Sequence, residues 1–182
     1  MNLELEFEIK RAIEGSKDSF SNLVRHYELS LYKVARSILQ SDDDCADAIQ
    51  EAILKAYKSI GTLREVKFFK TWLIRILINE CRNINKAKVK IIPIHELENM
   101  LCEQQMTANI HDDMEMQEIL NCIEYGLRTV VALYYFEEFS VKEISSILDI
   151  PEGTVKSRLS RARLKLKDIF KENIEGGECC GR

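Results

Sequence analysis

FSVKEISSILDIPEGTVKSRLSRARLKLK, residues 139–167, reads as two short helices joined by a tight turn, the second carrying a row of cations. Ser140 followed by Glu143 is a capping-box pair, so a helix starts at Val141, and Val141, Ile144, Ile147 and Leu148 then share one buried face. Asp149-Ile150-Pro151 breaks that helix. Proline is favoured at the first helical position, which places the start of a second helix at Pro151 or Glu152. At about 100° per residue, Val155, Leu159, Ala162 and Leu166 point inward, and Lys156, Ser157, Ser160 and Arg161 fall on the outward face. A helix-turn-helix needs this division: one helix buttresses while the other offers short polar and basic side chains to the DNA major groove. A solvated amphipathic hairpin has the same periodicity. Between Pro151 and Lys171, however, stand seven Lys or Arg against two acids in a chain of net charge −4, so positive charge is gathered here rather than scattered.

At 182 residues and 46% hydrophobic content the chain is long and apolar enough for one domain or two small ones. Seven glycines and two prolines among abundant Leu, Ile, Glu and Lys favour an all-α protein. The expected architecture is two small helical domains joined by a flexible acidic linker. No run of 18 apolar residues is present, and MNLELEFEIKR has neither a basic start nor an apolar core, so a cytoplasmic protein without direct membrane insertion is expected. The six cysteines, Cys45, Cys81, Cys102, Cys122, Cys179 and Cys180, form no CxxC pair and read as reduced thiols. A zinc site from Cys102, His111 and the tail cysteines is conceivable, but the tail pair reads better as an exposed, oxidisable end. No metal and no cofactor is expected.

Leu3, Leu5, Phe7, Ile9 and Ile13 mark a short amphipathic helix ending at Gly15, and an apolar stripe from Phe20 to Leu39 marks a longer one over 18–40. From Asp42 to Glu51 come five acids and no base; Ile49, Ile53, Ala56, Tyr57 and Ile60 then supply an inner face, leaving the acids outward. Residues 62–90 hold eight Lys or Arg and two acids, interleaved with Phe68, Phe69 and Trp72. Cations give phosphate partners and rings give stacking surfaces for unstacked bases, which makes Arg64, Lys67, Phe69, Trp72 and Arg75 candidate DNA contacts. Aromatics at helical spacing are more often core, and Trp72, Leu73 and Ile76 are expected to pack inward. Ile91-Ile92-Pro93-Ile94 reads as extended, ending the first domain near Lys88. Glu96 to Glu124 carries eight acids and no Lys or Arg, a solvated linker by composition. From Asp113 helices resume, with Ile119, Leu120, Ile123, Leu127, Val130, Val131 and Tyr134 as a core stripe.

IPEGTVKSRLSRARLKL, 17 consecutive positions, resembles the promoter-reading motif of bacterial RNA polymerase sigma factors of the extracytoplasmic-function type. DCADAIQE, residues 44–51, resembles the polymerase-docking segment of that family, and FFKTWLIRILINECRN, residues 68–83, its segment for melting and reading the −10 element. IEYGLRTVVALYYFEEFS, residues 123–140, fits with Arg128, Leu133 and Tyr135 in place, but departs at Glu124, where a proline is usual, and at Gly126 inside the helix. The resemblance spans roughly residues 18–88 and 113–170.

The resemblance implies a sigma factor that binds core RNA polymerase, recognises and melts the −10 element and reads the −35 element. Asp47, Gln50 and Glu51 would meet the clamp of the largest subunit, the second domain the flap of the second-largest, and Asn79, Arg82 and Asn83 the −10 DNA. The loop Gly61–Lys67 would hold a flipped base, whose extraction costs a few kcal/mol of unstacking. On the −35 side, Lys156, Ser157, Ser160 and Arg161 face base edges, and Arg158, Arg163 and Lys165 are better placed for phosphates. The acidic linker would imitate nucleic acid along the polymerase's RNA path. An anti-sigma protein, often membrane-embedded, is the further partner implied. Two rivals stay open: a stand-alone dimeric helix-turn-helix regulator, and a thiol or zinc hydrolase using Cys102 and His111. No nucleophile–base spacing, Gly-rich phosphate loop or HExxH pattern supports the second, so no catalytic residue is expected.

Overall fold

The computed structural model describes residues 3–91 and 123–176, and no strand occurs among the described residues. Helices α1 (Leu3–Ile13), α2 (Lys17–Arg36), α3 (Asp42–Ser59) and α4 (Phe69–Ile91) form a first bundle. Helix α5 (Tyr125–Val131), a π-helical turn (Ala132–Phe136), α6 (Val141–Leu148) and α7 (Glu152–Gly176) form a second set. Most of the acidic linker, Ile119, Leu120, Cys102, His111, Cys122, Cys179 and Cys180 lie outside the described residues.

Local chemistry starts these helices where the sequence places their caps. Ser16 Oγ accepts from the Ser19 N–H at 3.3 Å, and Ser41 Oγ from the Asp44 N–H at 3.5 Å. The first turn of α3, Asp42-Asp43-Asp44, complements the positive end of the helix dipole. The capping box closes as expected, with Glu143 N–H donating to Ser140 Oγ at 3.3 Å and Ser140 N–H to Glu143 Oε2 at 2.9 Å. Asp149 ends α6 in the left-handed conformation at φ 56°, and the Ser145 hydroxyl donates to the Ile150 carbonyl at 2.6 Å, turning the chain into α7.

Two boundaries and one helix face differ from the sequence-based expectation. Helix α2 stops at Arg36 rather than near Gln40, because the Ser37 hydroxyl donates to the Val34 carbonyl and a tight turn follows; Ile38 and Leu39 stay buried in that turn and prolong the apolar stripe without being helical. In α1 the buried face is Ile9 and Ala12, with Leu5 and Ile13 packed against the core, whereas Leu3 and Phe7 lie on the exposed side. Helix α4 runs to Ile91, past the expected end near Lys88.

The inner face of α3 is made chiefly by Cys45, Ala48, Ala52 and Ala56, all fully buried, which lets α3 approach α4 closely; Tyr57 instead packs edge-on against Phe20 at 5.1 Å. Leu73, Ile74, Leu77 and Ile78 of α4 bury the opposite side, each contributing on the order of 1.5–3 kcal/mol. The buried cluster continues into the second set of helices through Val130, Leu133, Phe139, Ile144 and Ile147. A smaller cluster, Ile123, Leu127, Val131 and Ala162, fixes α5 on α7.

Glu124 adopts φ −57° and ψ 143° just before α5, the backbone a proline would impose, so the missing proline is accommodated without strain. At Gly126, inside the first turn, an added Cβ would sit 3.9 Å from the Arg158 guanidinium, an ordinary contact. Gly126→Ala is therefore expected to raise stability by about 0.5–1 kcal/mol through lower unfolded-state entropy. A higher urea midpoint at unchanged m-value would show it; a lower midpoint would mean that Arg158 cannot yield.

Candidate polymerase and nucleic-acid interfaces

Helix α7 presents Lys156, Ser157, Ser160 and Arg161 together on its exposed face, while Val155, Leu159 and Ala162 are buried. Lys156 and Ser160, and Ser157 and Arg161, are paired at helical spacing, so four side chains reach outward within little more than one turn. The Ser157 hydroxyl donates to the Thr154 carbonyl at 3.0 Å, which leaves its oxygen able to accept. Behind this face Ile144, Ile147 and Leu148 of α6 supply the buttress.

The three expected phosphate contacts differ in their surroundings. Arg158 is half-buried, its guanidinium beside Gly126 of α5. Arg163 Nε donates to Tyr135 Oη at 2.7 Å, an arrangement that raises the guanidinium pKa and fixes its orientation. Lys165 donates to Glu124, whose carboxyl it holds below the usual carboxylate range. Tyr135 and Glu124 thus act on the cationic face from α5 and the π-helical turn. The long sequence separation hid both from pattern reading.

On α4, Arg75, Asn79 and Asn83 recur every four residues and are exposed, making one row. Arg64 and Lys67 lie exposed in the preceding loop, where Lys67 pairs with Glu65 at 2.7 Å and sits 4.8 Å over the Phe68 ring. Phe69, expected as a stacking surface, is a core residue at 1% exposure, tilted against Tyr27 and Trp72; its ring is closed to any base. Because α4 begins at Phe69, helical register turns that ring inward and leaves its neighbour Phe68 45% exposed. Trp72 and Ile76 are half-buried against the core and Leu73 is buried, as expected. Arg82 departs from the exposed row: it donates to the Leu148 carbonyl of α6 at 3.2 Å.

Asp47, Gln50 and Glu51 line one groove between α3 and α4, together with Asp44, Leu54, Glu80 and Asn83. Lys55 neutralises Glu80 at 2.6 Å and Lys88 pairs with Asp44, whereas Asp47 and Glu51 have no ion-pair partner among the described residues. The groove therefore keeps net negative charge beside an exposed apolar side chain, Leu54. Asn83, expected on the −10 side, shares this groove. Cys45 and Cys81 are buried where α3 meets α4, and burial pushes their thiols up to about 11 and about 12, which makes both poor nucleophiles.

The model described as Sigma-70 region 2 matches residues 23–88, and that described as Sigma-70, region 4 matches residues 113–166. The ECF RNA polymerase sigma factor SigW of Bacillus subtilis is 31% identical over 186 residues, covering 94% of this chain and 100% of the relative. The chain belongs to the extracytoplasmic-function family of RNA polymerase sigma factors. SigM of Mycobacterium tuberculosis is 29% identical over 158 residues, 87% of this sigma factor and 80% of SigM. Among solved structures, CnrH in complex with the cytosolic domain of CnrY matches with a TM-score of 0.66 at 22% identity, over 92% of this chain and 97% of that one. RpoE from Bartonella quintana, in complex with the anti-sigma factor NepR, gives a TM-score of 0.66 at 23% identity, over 86% and 98%. These two likenesses establish a shared fold. As a sigma factor, this protein binds core RNA polymerase and directs it to promoters, recognising and melting the −10 element and reading the −35 element. No helix among the described residues is long and apolar enough to cross a membrane.

Proposed function

We propose that residues 1–88 form the polymerase- and −10-binding unit, residues 89–112 the acidic linker, residues 113–175 the −35-binding unit and residues 176–182 a tail. The observation that carries this division is a net-negative groove at α3 in the same chain as an exposed cationic helix-turn-helix. A stand-alone DNA-binding regulator has no use for the first. Within the groove Asp47, Gln50 and Glu51 are the docking residues for a basic surface on the polymerase clamp, and their charge makes encounter fast and selective. Arg64, Lys67, Arg75, Asn79 and Asn83, with Phe68 in place of Phe69, form the −10 face; Trp72 supports it from half-buried packing.

The protein acts as a non-catalytic initiation factor in the cytoplasm, without a cofactor. CnrH is solved with the cytosolic domain of CnrY and RpoE with the anti-sigma factor NepR, and a comparable anti-sigma protein, in some cases membrane-embedded, is the expected partner of this chain. Charge reversal in the docking groove tests the assignment. Asp47→Lys with Glu51→Lys is expected to weaken binding to core polymerase at least about tenfold, or on the order of 1.4 kcal/mol, with helical content unchanged because both side chains are exposed. Undiminished binding by gel-shift of the core enzyme would remove these residues from the interface.

A further inference from the structure

The outward face of α7 carries one side chain that its charge does not explain. Leu164 is 61% exposed, and no other Leu, Ile or Val is exposed among the described residues 123–169. At about 100° per residue it falls about 20° from the line of Ser157, between Ser160 on one side and Arg161 on the other. The buried residues Val155, Leu159 and Ala162 lie on the opposite side of the helix. Leu164 therefore stands at the centre of the face that carries Ser157, Ser160 and Arg161. Its neighbours in sequence, Arg163 and Lys165, project to either flank, and each is held from another element: Arg163 by the Tyr135 hydroxyl at 2.7 Å, Lys165 by Glu124. One turn further on, the same face reaches Asp168, an exposed acid that closes the cationic surface. Single exposed leucines are ordinary on protein surfaces. This one differs in its register, midway between two oriented cations.

We propose that Leu164 is a specificity-determining residue for the −35 element, and that its ligand is the methyl group of a thymine in the major groove. The inference rests on the outward face of α7 being the base-reading face. The surroundings of Leu164 define its occupant: cations on both flanks take phosphates, so the surface in front of it is nucleic acid rather than an apolar protein groove. On the floor of the major groove, base edges present hydrogen-bonding groups, and the thymine methyl is the apolar group that an aliphatic side chain can cover. The helical rise fixes which base pair is met. From Arg161 to Leu164 the helix advances about 4.5 Å, little more than the spacing of about 3.4 Å between base pairs. Leu164 thus faces the pair next to the one read by Arg161. It is the last reading position, because the carboxylate of Asp168 beyond it repels the backbone.

The test uses holoenzyme assembled from core polymerase and the full chain, either wild type or carrying Leu164→Ala, Leu164→Met or Arg161→Ala. Each holoenzyme selects −35 sequences from a promoter fragment whose −10 element comes from a run-off transcript and whose upstream positions are randomised. Wild type and Leu164→Met are expected to enrich a T·A pair beside the position that depends on Arg161, and Leu164→Ala to lose that preference alone. On the selected fragment, deoxyuridine in place of that thymine should weaken wild type about fourfold, the worth of one buried methylene, and leave Leu164→Ala unchanged. A methylated cytosine at the same position should bind wild type about fourfold tighter than plain cytosine. A Leu164→Ala holoenzyme that selects the wild-type sequence would overturn the proposal, as would an equal loss from deoxyuridine in both proteins. Impaired holoenzyme formation with sequence preference intact would also overturn it, making Leu164 a polymerase contact. Arg161→Ala tests the underlying reading separately. If its selected −35 sequence matches that of wild type, the outward face of α7 does not read bases. If Arg161→Ala shifts one position while Leu164→Ala shifts none, that face reads bases and the thymine contact alone falls.

Discussion

Arg161→Ala is expected to cost about 1–3 kcal/mol of −35 binding and to relax specificity at one base pair, because an exposed guanidinium on the outer face of α7 can bond a guanine edge at two points. The matched control is Lys165→Ala. That ammonium already pairs with Glu124 on the flank of the helix, so its loss should weaken all sequences alike and lower the salt slope by about one. Competition binding of holoenzyme to a panel of single-base −35 variants separates the two outcomes. A uniform loss from Arg161→Ala would place that residue on the phosphate backbone.

The largest effect on stability is expected from Leu133→Ala. Leu133 is fully buried, lies in the π-helical turn, and belongs to the cluster that joins the second set of helices to the first. Removing its side chain leaves a cavity in a region whose backbone is pinned by the Phe139 N–H to Leu133 carbonyl bond, so the cost should be about 2–5 kcal/mol. Chemical denaturation followed by far-ultraviolet circular dichroism measures it. A loss below about 1 kcal/mol would show that the turn collapses to fill the space.

The helix-turn-helix was readable almost residue by residue, since its signals are local: a capping box, the Asp149-Ile150-Pro151 break and an apolar repeat act within a few positions. The acidic groove was half-readable. Outward acids follow from the apolar repeat of α3, but the Cys45-Ala48-Ala52-Ala56 stripe, which sets the spacing to α4, carries little hydrophobic signal. Phe69 was misassigned because the choice between it and Phe68 depends on where α4 begins, a boundary set by the preceding turn of Val66–Phe68. The end of α2 was missed for a similar reason: burial of Ile38 and Leu39 in a turn mimics helical periodicity. The contacts of Lys70 and Arg82 with Glu137 and Leu148 join residues far apart in sequence, and no periodicity encodes them.

Run-off transcription by purified core polymerase, with and without this protein, on fragmented genomic DNA from its host tests the central claim most directly. The expected result is a set of new, discrete transcripts sharing two upstream elements, lost when Asp47 and Glu51 are both replaced by lysine. A folded protein that yields no new transcript, yet binds palindromic DNA tightly without polymerase, would contradict it and favour a dimeric regulator.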